Sequence, residues 1–157
     1  MAKGPFMEYL RAGVVQDAAN VYAEVQIPTP TSKTENMAML IHTIEMHPSI
    51  LLDAQPAQGD MMLQHVSRKS KDNIGTISDE DILAYLRAYT TLNAVYNGLS
   101  ITGEQTYKFD PPILYPRANL YMAMSSIGMG GVASASVRIG YTLEKVSRED
   151  FISALVE

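Results

Sequence analysis

Three histidines, one acidic run, one basic cluster and a serine-flanked glycine loop are the groups in this 157-residue sequence with the potential for chemistry. His42 and Glu45 share an apolar run at an odd separation, so on a regular strand their side chains point to opposite faces and do not share a metal. His47 stands before Pro48 and five residues from His42, and the close His-x-His spacing that would put two imidazoles on one metal is absent. With His65 they read as packing or surface histidines. Ser125, Ser126, Ser134 and Ser136 flank the loop IGMGGVASA, yet no Gly-x-Ser-x-Gly motif and no nearby histidine accompanies them. The loop also lacks the Gly-Lys-Ser/Thr ending of a phosphate-binding loop, and it reads as a flexible strand connection.

Arg68, Lys69 and Lys71 form the one basic cluster, either a solvated loop or a contact for a nucleic acid or a neighbouring subunit's acidic patch. The acidic run Asp79-Glu80-Asp81 follows Ser78 and suits a helix N-terminus, where carboxylates meet the positive end of the dipole; a divalent cation is the alternative. A net charge of −5 opposes a main task of neutralising phosphates, and the lack of cysteine excludes disulfides, thiolate metal sites and a cysteine nucleophile. Ten methionines and nine tyrosines are residue types that pack against imperfectly matched surfaces and anchor interfaces. Tyr9, with Phe6, Leu10 and Val14 in the N-terminal segment, and Met129 in the glycine loop are the candidate subunit-interface residues.

The elements that must position these groups are mostly strands. Residues 20–28 alternate Val21, Ala23, Val25 and Ile27 against polar neighbours, and the same period of two runs through 61–67, 119–126 and, most clearly, 136–146. Residues 37–46 are a more continuous apolar run, as expected of a central strand covered on both faces. Pro111 and Pro112 fit only an edge, a bulge or a strand entrance. A cap at Ser78 predicts a short helix near 79–86 followed by a strand through 88–96. A second cap at Ser147 predicts a terminal helix with Phe151, Ile152, Leu155 and Val156 on one packed side. Seven or eight short strands with two brief helices indicate one antiparallel sandwich or barrel over residues 20–157, preceded by an arm at 1–19. Glu8, Arg11, Gln16 and Asp17 interrupt any signal-like apolar stretch in the first twenty residues, and no run is long enough for a spanning helix. Only 18% of residues are charged, against 46% hydrophobic, which leaves surface to be buried against other chains.

Taken in order, NVYAEVQIP, MAMLIHTIEM, MMLQHVS, SDEDI, FDPPILYPRANLYMAMSSIG and SVRIGYTLEKVSREDFISAL give a sequence that resembles single jelly-roll viral capsid proteins. The ending carries most of the resemblance: a DPPILYP strand, a strand closing on a glycine loop, and a long arginine-bearing strand running into a small helix. The resemblance implies an all-β, antiparallel eight-stranded jelly-roll sandwich with short helical insertions and a short C-terminal helix. It implies many copies in a closed icosahedral shell, a place in the virion, other capsid proteins as further partners, and no catalytic site, cofactor or metal. Residues 1–19 depart from the basic arm of capsid proteins that package nucleic acid directly, holding only Lys3 and Arg11 against Glu8 and Asp17. Direct nucleic-acid binding is therefore expected to be weak or absent. Two other readings stay open: a carbohydrate-binding sandwich with a tyrosine platform, and a cupin-like metalloenzyme built on His42, His47 and His65.

Overall fold

In the computed structural model, which describes residues 6–49, 60–76, 78–93, 98–102 and 105–157, the period-two pattern becomes two antiparallel sheets packed face to face. One sheet has the order β1 (Glu8–Val15), β9 (Ser134–Lys145), β3 (Met37–Ser49), β7 (Gln105–Tyr115). The other has the order β2 (Ala23–Pro28), β8 (Asn119–Ile127), β4 (Met61–Ser67), β5 (Ile82–Asn93), β6 (Gly98–Thr102). Leaving aside β6, which extends the edge beside β5, the orders β1-β9-β3-β7 and β2-β8-β4-β5 are those of a jelly roll. The core lies between the sheets: Met39, Ile41, Ile44, Val137 and Ile139 face Val66, Leu86, Leu120 and Met122. No helix among the described residues is long and apolar enough to cross a membrane.

Three sequence expectations change. The segment read as an arm ahead of the sandwich supplies its first strand, because Leu10, Ala12 and Val14 alternate inward onto the core and residues 8–15 pair along β9. The helix expected near 79–86 is a turn followed by β5. Asp79 Oδ1 accepts the Asp81 N–H at 3.0 Å and the Asp79 carbonyl accepts the Ile82 N–H at 3.0 Å, after which Ala84, Leu86 and Ala88 bury alternately. A short acidic side chain bonded to its own backbone competes with the helix it was expected to start. Of the strand expected through 88–96, residues 94–96 lie outside the described residues.

Third, β3 carries an irregularity between Ile41 and Thr43, so the parity rule fails there. Ile41 and Ile44 are both buried, while His42 reaches Thr142 and Glu45 reaches Arg138 on the outer face. Opposite the irregularity, the register along β7 jumps from Ile113 to Lys108, and the Pro111-Pro112 pair occupies the gap on an edge strand. The prolines thus sit where no ladder donor is required.

The terminal helix forms as expected. In α1 (Arg148–Val156) the Ser147 hydroxyl caps the first turn, accepting the Asp150 N–H at 3.1 Å, and Phe151 is buried. Of the four apolar residues expected on one packed side, Phe151 is buried and Leu155 half-buried, whereas Ile152 and Val156 are exposed.

Candidate functional site

The outer face of the β1 sheet collects polar and aromatic side chains along its free edge. Arg138 on β9 donates to Glu45 Oε2 on β3 at 2.6 Å, and its guanidinium lies 5.1 Å from the Tyr9 ring centre on β1. His47 stands 3.9 Å from the same carboxylate, and the Arg138 hydrogen bond holds the Glu45 carboxyl below its usual range. Gly140 makes room for this edge. A Cβ there would run into Thr43 Oγ1 on β3 and come within 2.9 Å of Met7 Sδ and 3.2 Å of Tyr9 Cε1, so a side chain would force these three side chains to shift. Among the described residues β1 pairs with β9 alone and its other side is unpaired within the sheet, a ready template for another chain.

The interface candidates divide. Phe6 is 77% exposed, and Tyr9 is exposed beside Arg138. Leu10 and Val14 are half-buried against the core of their own subunit, so their first role is internal. Met129 is a correction: it is only 3% exposed and packs with Met62, Ala88, Met124 and Ala135. The glycine loop that carries it is clasped, since Asn20 Nδ2 donates to the Met129 carbonyl at 2.8 Å and Asn20 Oδ1 accepts the Met129 N–H at 2.9 Å. Asn20 holds this position at φ 61°, a left-handed conformation that asparagine tolerates.

The basic cluster and the acidic run answer each other. Lys71 Nζ lies 3.0 Å from both Asp79 and Asp81, and Lys69 Nζ lies 3.1 Å from Asp81. The Lys71 hydrogen bonds hold both carboxyls below their usual range. The two lysines, for which a nucleic-acid or subunit contact was the alternative to a solvated loop, and the two carboxylates, for which a cation was the alternative to a helix N-terminus, are thus engaged with each other. Arg68 has no ion pair among the described residues.

No protein-family model matches the chain, and no curated protein matches it. The surfaces themselves therefore carry the functional reading. The described residues contain no group of three histidines or carboxylates placed to hold a metal ion. His42 donates to or accepts from Thr142 Oγ1 at 2.9 Å, His47 lies beside Glu45, and His65 is on the other sheet under the β4–β5 connection, so the three do not converge. What the sequence reading missed is an exposed apolar pair on α1. Ile152 is 50% and Val156 82% exposed, and at a spacing of four they share one helix face. Their i, i+4 spacing, offset by one residue from Phe151 and Leu155, was the signal that α1 has two apolar flanks.

Proposed function

We propose that this chain is a structural capsid subunit, a single jelly roll that assembles with copies of itself, and with other capsid proteins of the same virion, into a closed icosahedral shell. The observation that carries the reading is the jelly-roll strand order combined with apolar side chains exposed at both termini, Phe6 and Met7 before β1 and Ile152 and Val156 on α1. The fold is shared by capsid, lectin and cupin proteins, so the exposed apolar groups argue for assembly. Burying a phenylalanine or valine side chain is worth roughly 1.5–3 kcal/mol, and symmetry repeats a modest contact over the whole shell.

Introducing a charge at these positions tests it. Phe6→Asp and Val156→Asp are expected to leave the urea midpoint unchanged, since neither side chain is packed in its own subunit, and to lower the assembled fraction at least tenfold in sedimentation velocity. Assembly of both variants at the wild-type protein concentration would refute the role given to the termini.

A further inference from the structure

The end of the sandwich that carries the β2–β3, β4–β5 and β7–β8 connections gathers three cations from three different loops. Lys33, Arg68 and Arg117 line one depression together with Asn119, Tyr121 and Leu155. Lys69, Lys71 and Arg138 are each paired with a carboxylate, whereas Lys33, Arg68 and Arg117 have no ion pair among the described residues. Arg68 Nε is buried and has no hydrogen-bond partner among the described residues, while the side chain lines the depression. The Arg117 backbone is fixed by two hydroxyls, Thr29 and Thr31, which donate to its carbonyl. One guanidinium nitrogen donates to the Leu155 carbonyl at 3.1 Å, which leaves the remaining N–H groups of that fork. Both guanidiniums act on the same Tyr115 hydroxyl, which places them in one neighbourhood. Asp150 and Glu157 line the adjoining depression on the far side of Arg68, and Asp150 accepts the Ser147 hydroxyl at 2.6 Å.

We propose that Lys33, Arg68 and Arg117 form an anion site that takes one phosphate group. Two planar guanidinium forks and one ammonium match the charge and oxygen geometry of a phosphate, which a single carboxylate would leave partly unfilled. In a chain of net charge −5, three cations in one depression, without carboxylate partners among the described residues, are a local field of the opposite sign. The proposal does not depend on the shell reading.

Titration of the purified protein with inorganic phosphate, followed by calorimetry, tests it. One saturable site is expected. Lys33→Glu, at an exposed position, and Arg68→Gln are each expected to weaken binding at least tenfold. Lys108→Glu on β7, the same charge change far from the depression, is expected to leave binding within twofold. Competition with 5′-phosphorylated and unphosphorylated oligonucleotides identifies the source. Displacement by both assigns a phosphodiester, displacement by the phosphorylated one alone a terminal monoester, and displacement by neither a free phosphate. An absence of saturable binding, or equal losses in Lys33→Glu and Lys108→Glu, overturns the proposal.

Discussion

Gln16→Ala is expected to lower the unfolding free energy by about 3 kcal/mol and the melting temperature by roughly 6–12 °C, without changing how the sheets pair. Gln16 is 3% exposed and joins three parts of one end of the sandwich. Its Nε2 donates to the Val21 carbonyl at 2.9 Å and to Ser126 Oγ at 3.0 Å, and its Oε1 accepts the Ala133 N–H at 2.9 Å. Truncation leaves the buried Ala133 N–H and the partly buried Val21 carbonyl without the amide and opens space beside them; a buried unpaired group costs roughly 1–3 kcal/mol and the cavity adds to it. Urea unfolding at neutral pH measures the change. A loss below about 1 kcal/mol would mean that water replaces the amide and that the clasp is not structural.

The second large effect is a loss of stability in mild acid. His65 is 0% exposed, under residues 68–76, which cross the outer face of the second sheet. Gly75 donates its N–H to His65 Nδ1 at 3.1 Å, so the ring proton sits on Nε2, which has no partner. Protonation would turn Nδ1 from acceptor to donor against another donor. Burial accordingly pushes the imidazole down to about 4 from its ordinary 6.5, with Glu24 and Asp79 opposing, Lys71 reinforcing, and Tyr22 and Tyr85 flanking the ring. Because the folded form resists the proton, the stabilisation is complete above pH 6.5 and is lost as pH falls from 6.5 toward 4. The total is about 3 kcal/mol. The Asp79, Asp81 and Glu45 carboxyls are all held below their ordinary range, so their losses begin at lower pH. Unfolding free energies at steps between pH 7 and 4 should trace this slope, and His65→Gln, which can still accept from Gly75 but does not titrate, should flatten it. A flat wild-type profile across the window would contradict the buried neutral imidazole.

Much of the fold was legible because alternation survives wherever a strand is regular. Residues 61–67 match β4 to the residue, and Val137, Ile139 and Tyr141 face inward as their spacing dictates. What was not legible depends on partners distant in sequence. The bulge at His42 reverses a parity argument that was sound for a regular strand, and its cause lies opposite, at Pro111 and Pro112 on β7. Met129 looked exposed because the glycine loop consists mainly of small residues. The residue that clasps it, Asn20, is 109 positions away. The Lys71 pairs with Asp79 and Asp81, by contrast, lie eight and ten residues apart and could have been read as mutual neutralisation. Phe6 and Tyr9, singled out by type and position, are exposed. The outward flank of α1 was missed because Phe151, Ile152, Leu155 and Val156, spread over six positions, were assigned to one side.

The central claim is assembly, and the most direct measurement is particle size of the purified wild-type chain by light scattering with negative-stain microscopy, across salt concentration and pH. Uniform closed shells are expected. A stable monomer under all of these conditions would contradict the capsid reading and leave the jelly roll to serve as a binding module.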